Sequence, residues 1–214
     1  MGVFKLDEPH KENVTPEDKI SISTTKGKNP AKQVLSYLHD IVYLLAAIVI
    51  VLLLVFRVVV VSGGSMNNTL IDGDMLILLS NTFYTEPQQG DIIVASKDSF
   101  RDGEPIIKRV IAVENQVVDI DFASGDVFVD GVLLDEPYTS SLTTVSQGVH
   151  FPLTVPEGCV FVLGDNRIRS QDSRSTEIGL IDEREILGKA IFLLLPGTNE
   201  NTESRDFTRF GGVS

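Results

Sequence analysis

The chain has 214 residues, 43% of them hydrophobic and 22% charged, with a formal net charge of -12 and a pI near 4.6. That length fits one domain, or one domain with an appendage, and the composition excludes wholesale disorder. The acidic balance speaks against a nucleic-acid binder, and a single cysteine, Cys159, excludes an internal disulfide or a multi-cysteine zinc site.

Residues 1–36 hold six lysines and five acids with no sustained apolar period, and read as a disordered cytosolic tail. Residues 41–61, IVYLLAAIVIVLLLVFRVVVV, carry one charge, Arg57. As a helix this run reaches roughly 31 Å, the thickness of a bilayer core, and a transmembrane helix is expected over 37–61. The rival is a secretory signal cleaved at Ser62-Gly63-Gly64. Signal cores are usually about 7–15 residues and lie near the chain start, whereas 40 residues come first here. An uncleaved anchor follows. Lys26, Lys28 and Lys32 precede the span, Arg57 snorkels at its far end, and the next base is Lys97. The positive-inside rule then places the N-terminus in the cytosol and the rest outside, a single-pass protein of the cell membrane.

From residue 58 onward 24 acids face 11 bases, so the acidity belongs to the exported part, where it serves solubility. Residues 62–197 read as β throughout. Short Val-, Ile- and Phe-rich runs follow Gly-Asp or Asp-Gly turns: MLILL after Asp72-Gly73-Asp74, IIVA after Gly90-Asp91, VFV after Gly125-Asp126, VLL after Asp130-Gly131. CVFVL and KAIFLLL continue the pattern, and a short helical turn fits Asp182–Ile186. The expected fold is mainly β, a coiled antiparallel sheet or partly closed barrel on one N-terminal transmembrane helix. Residues 198–214 read as a loose C-terminal tail in which Phe207, Phe210 and the pair Gly211-Gly212 are candidates to touch the domain or the membrane.

Three polar clusters interrupt the strands. Ser62-Gly63-Gly64-Ser65-Met66-Asn67-Asn68-Thr69-Leu70 sets glycines before a serine, which allows a tight backbone with the hydroxyl accessible; an exit loop after a membrane span has the same composition. In Ile106–Val113, alternation puts Lys108 and Arg109 on opposite faces, so one base must enter a mainly apolar face. Bringing a lysine from about 10.4 to near 8 costs on the order of 3 kcal/mol and yields a general base. An edge strand with snorkelling bases is the alternative. Gly164-Asp165-Asn166-Arg167, running on to Ser170, Asp172, Ser173 and Arg174, is either a functional loop or a hydrogen-bonded turn with internal ion pairs. A Ser-His-Asp arrangement would have to use His150, which lies in QGVHFP without neighbouring acids.

Together the clusters resemble the bacterial type I signal peptidases, membrane-bound leader peptidases of the Gram-positive kind. SMNNTL is similar to the family's Ser-Met-x-Pro-Thr-Leu box, IKRVIAV to its lysine box, and GDNRIRSQDSR to its Gly-Asp-Asn-Arg box with the trailing Ser-x-Asp-Ser-Arg. DVFVDGVLLDEPY and IGLIDEREILGKAIF resemble further family segments, in the family's order across most of residues 41–195. The resemblance implies a serine endopeptidase that removes signal peptides from secretory preproteins, cutting after a small residue in an Ala-x-Ala-like site, with a Ser/Lys dyad and no metal or organic cofactor. By it, Ser65 is the nucleophile, Lys108 the neutral base, Ser170 the residue that orients the lysine amine, and Asp172 with Arg174 the ion pair behind it. The oxyanion donor is Ser65 N–H, helped by a backbone donor near Gly63 or by water, since Gly63 has no side-chain hydroxyl to offer. Substrate would pair between the edges 57–60 and 105–108, with Val58, Val60, Ile106 and Ile107 as binding residues. An apolar surface near the site would rest in membrane lipid. One departure stands out: Asn68 replaces the family's proline, which fixes φ near about -65° and stiffens the turn. The alternative function is a weak or inactive relative that binds preproteins at the membrane.

Overall fold

The computed structural model describes residues 30–198 and 204–213, apart from the side chains at 30, 32 and 101. Most of the expected N-terminal tail therefore lies outside the described residues. The described residues fall into two units, divided between Leu45 and Ala46.

Helix α1 is Pro30–Val55, and it opens on a proline whose missing N–H leaves nothing unsatisfied at a first turn. Within it Gln33–Val55 is long and apolar enough to cross a membrane, about 35 Å at the helical rise. Its side chains are exposed along the span. The helix starts and stops earlier than the 37–61 expected from hydropathy. Phe56–Val60 leaves it as strand β1, with Arg57 opposite Leu78 on the neighbouring strand Met75–Ser80, β2. The reason is the β-branched run Val58-Val59-Val60, whose stiff side chains suit a pleated surface once a partner strand is present. Hydropathy alone cannot separate the last helical turn from such a strand.

Ten further strands follow among the described residues: β3 (Ile92–Ala95), β4 (Ile106–Ala112), β5 (Val117–Asp121), β6 (Asp126–Val129), β7 (Val132–Leu133), β8 (Leu153–Thr154), β9 (Cys159–Leu163), β10 (Ile181–Asp182), β11 (Ile186–Leu195) and β12 (Gly211–Gly212). All the pairings are antiparallel. One sheet runs β1-β2-β11-β3-β4-β9-β10, with β12 added against β11; a smaller one runs β7-β6-β5-β8. The order is an open path, so the large sheet curls without closing. Strand β11 passes from β3 to β2 through register shifts after Ile186, Ala190 and Leu193, and such bulges bend a strand. The hairpin from β6 to β7 turns on Asp130-Gly131, both at positive φ (52° and 77°), the two-residue turn that matches strand twist. The turn expected near 182–186 is a 3-10 turn, Glu183–Glu185, closed by a reciprocal capping box between Asp182 and Glu185.

Three apolar clusters fill the folded unit, and the one under the SMNNTL segment contains Met66 and Leu70 with Leu76, Leu78 and Val94. Of the expected C-terminal tail, residues 199–203 and 214 lie outside the described residues, and 204–213 touch the domain through Phe210 and the glycine pair, as the sequence allowed. Phe207–Arg209 forms a 3-10 turn, Gly211 and Gly212 pair with Leu193 and Phe192, and Phe210 packs edge-on against Phe192 at 4.9 Å. Its polar composition suggested looseness because the contacts that order it come from β11 and Asp74, far away in sequence.

Candidate active site

Ser65 is carried on the loop between β1 and β2. The loop is pinned by its own apolar residues: Met66 and Leu70 are 1% and 0% exposed, and Leu70 N–H donates to the Met66 carbonyl at 2.9 Å. With Met66 turned into the core, Ser65 is left half-exposed facing a cleft of about 610 Å³. Lys108 reaches the same place from β4. Its Nζ donates to Ser65 Oγ at 2.9 Å and to the Ile107 carbonyl at 3.0 Å, and the residue is 5% exposed. Two side chains 43 positions apart thus share one hydrogen bond at the cleft wall.

Arg109 points to the other face of β4 and is also buried, which answers the question of which base enters the interior: both do, with different partners. Its Nε and Nη2 donate to the two oxygens of Asp165 at 2.9 and 2.8 Å, its Nη1 to the Gly90 carbonyl, and it lies 3.9 Å above the Tyr138 ring. Thr69 Oγ1 also donates to Asp165, tying the serine loop to this ion pair.

The segment after β9 braces the serine from behind. Asn166 N–H donates to the Ser65 carbonyl at 3.0 Å and Asn166 Nδ2 to the Gly64 carbonyl at 3.1 Å. A Cβ on Gly164 would collide with Ser170 Oγ and with the Ser65 carbonyl, so only glycine permits this approach. Asp172 and Arg174, both fully buried, form a bidentate pair at 2.8 and 2.9 Å. Arg174 also donates to the carbonyls of Val145, Arg167 and Ser170, and Asp172 accepts from Gly164 N–H. Ser170 is 2% exposed, and its Oγ has no hydrogen-bond partner among the described residues, so the expected bond to the Lys108 amine is not formed.

Gly63 is not free to act as an oxyanion donor. Its N–H donates to Asp72 Oδ1 at 2.7 Å, because Asp72 folds back across the tight turn that Gly63 makes at φ 86°. The Ser65 N–H has no acceptor among the described residues. Val60, Ile106 and Ile107 line the cleft; Val58 does not, since it is one strand repeat further from the serine loop. Phe100, Glu104, Arg169 and Gln171 also line it, and none of these was read from the sequence as a site residue. Asp165, Asn166 and Thr69 were visible only as members of matched boxes, without separate roles. His150 is not among the cleft residues. Among the described residues no cluster of three or more His, Cys, Asp or Glu is arranged to hold a metal.

The fold and cleft describe a β hydrolase with a serine and an amine in contact. Residues 34–195 match the family model described as signal peptidase, peptidase S26, and the chain belongs to that family of serine hydrolases. It is 33% identical to signal peptidase I of Bacillus licheniformis over 136 residues, 60% of this chain and 70% of the relative. A probable signal peptidase I-1 of Synechocystis sp. is 34% identical, covering 61% of this chain and 66% of that one. A crystal structure of a signal peptidase I from Enterococcus faecalis V583 is 34% identical, covers 49% of this chain and 97% of its own, and superposes with a TM-score of 0.39.

Proposed function

We propose that this protein is a membrane-anchored endopeptidase that removes signal peptides from secretory preproteins with Ser65 as nucleophile and Lys108 as general base. The observation that carries the reading is the 2.9 Å contact between Lys108 Nζ and Ser65 Oγ at the wall of a cleft. For catalysis the amine must be neutral, and a 5% exposed lysine between apolar strand neighbours pays a desolvation cost for its charge. Lys108 then takes the Ser65 hydroxyl proton as Oγ attacks the scissile carbonyl. The Ser65 N–H stabilises the oxyanion, and the protonated amine returns its proton to the leaving amino group. Water, deprotonated by the same amine, releases the signal peptide from the acyl-enzyme. The scheme needs no metal or organic cofactor.

The cleft suits an extended substrate. Strand β1 has a partner on one side only, and β4 pairs with β9 from Arg109 onward, so residues 106–108 keep a free edge. A preprotein strand between these edges would enter a cleft lined by Val60, Ile106 and Ile107, with every second side chain turned to one wall, which supports an Ala-x-Ala-like preference for small residues. Helix α1 supports a single membrane crossing. Lys26, Lys28 and Lys32, before the apolar stretch Gln33–Val55, favour a cytosolic N-terminus and an extracytoplasmic catalytic domain. On the outward face of the sheet Val58 is 58% exposed beside the half-exposed Ile77, a surface suited to lipid. The acidic balance offers no footing for nucleic acid.

The test is cleavage of a secretory preprotein by the full chain in detergent–lipid micelles. Ser65→Ala and Lys108→Ala should each reduce it by at least about a thousandfold while the unfolding midpoint is kept. A folded wild type that binds preprotein without cutting it would instead favour the inactive relative.

A further inference from the structure

Two ion pairs grip the Ser65 loop from opposite sides. On one side Thr69 Oγ1 is held by Asp165, itself paired with Arg109. On the other, Arg209 from the C-terminal segment donates through Nη2 to the Thr69 carbonyl at 3.0 Å and to Asp74 Oδ2 at 2.7 Å, and through Nη1 to Asp74 Oδ1 at 3.0 Å. Asp74 is fully buried and also accepts from Ile71 N–H at 2.9 Å and Gly197 N–H at 2.7 Å. Its charge is therefore already well served, and the guanidinium contact to Thr69 is an addition that stabilising Asp74 does not require.

That addition bears on the nucleophile. The Thr69 carbonyl and the Leu70 N–H are two ends of one rigid peptide plane. The Leu70 end donates to the Met66 carbonyl at 2.9 Å, and Met66 adjoins Ser65. Turning this plane would break the bond that closes the serine loop. Between Ser65 and Thr69 stand Asn67 and Asn68, without a proline to stiffen the turn. Arg209 is itself aimed by a short turn capped by Asp206, whose carboxyl accepts from both Thr208 Oγ1 and Thr208 N–H and is held below the usual carboxylate range by those bonds.

We infer that Arg209 is a positioning residue for catalysis, acting on Ser65 through the Thr69–Leu70 peptide, and the inference rests on Ser65 being the nucleophile. The test measures kcat and KM for preprotein cleavage by the full chain in micelles, for wild type, Arg209→Ala, Arg209→Lys and Ser65→Ala, with unfolding midpoints for all. Because misplacement by about 1 Å can cost a hundredfold, kcat should fall about a hundredfold in Arg209→Ala with KM within about twofold. Lysine keeps a cation for Asp74 but not the planar fork, so Arg209→Lys should keep its unfolding midpoint and still lose kcat by about tenfold. Values of kcat within about twofold of wild type in both variants, or a change confined to KM, overturn the inference. If Arg209→Ala does not fold, Arg209→Lys decides alone. Cleavage that persists in Ser65→Ala overturns the nucleophile assignment instead.

Discussion

At Gly164 the missing side chain is what lets two carbonyl-bearing loops meet. Ser170 and the Ser65 carbonyl both occupy the space a Cβ would need, so Gly164→Ala must push the serine loop or the Ser170 loop away. Overpacking of this kind costs about 1–3 kcal/mol, and displacement of Ser65 costs far more in rate. We expect Gly164→Ala to remain folded and to lose at least about tenfold in kcat, read from kinetics beside a thermal melt. The sequence marks Gly164 only as the first letter of a matched box. Its reason is a contact with residue 65, and no local pattern reports that. The same holds for Lys108 and Arg109: alternation says they part to opposite faces, but only Asp165, 56 residues away, decides which of them is charge-paired.

At the scale of elements, β4 joins the two halves of the site. One face of the strand delivers Lys108 to the cleft and the other delivers Arg109 to Asp165. Asp165→Ala leaves a 2% exposed guanidinium without its carboxylate, and breaking such a buried pair costs about 3–5 kcal/mol. Chemical unfolding should register that loss, together with reduced cleavage, since Thr69 loses its anchor too. Strand positions were legible because Gly-Asp and Asp-Gly turns punctuate runs of β-branched and aromatic residues, and the short turn expected around Asp182–Ile186 forms at Glu183–Glu185. The helix end was not. In Val55-Phe56-Arg57-Val58 nothing local separates helix from strand, and pairing with β2 decides it. In the C-terminal segment the contacts of Phe210 and the glycine pair were legible from their composition, but that of Arg209 was not, because it answers to Asp74, 135 residues earlier.

At the scale of the whole chain, the kinds of surface can be taken unit by unit. The described chain exposes an apolar helix and an apolar sheet face, while the acids lie mostly on turns and strand ends of the folded unit. Two half-buried tyrosines bear on the alkaline end of a pH study. Burial first, then the Asp91 bond at Tyr84 and the Glu136 charge at Tyr138, raises both phenols above their ordinary value of 10.0. Below that value both are neutral folded or unfolded; above it the unfolded chain ionises first, so stability falls as pH rises from about 10. The most direct measurement is therefore preprotein cleavage by the full chain in micelles from about pH 6 to 10, beside Lys108→Ala. The account predicts that wild-type kcat/KM rises with pH through an apparent pKa below lysine's ordinary value of about 10.4, and that the variant shows no such limb. An unchanged profile in Lys108→Ala, or no cleavage by folded wild type at any pH in that range, would contradict it.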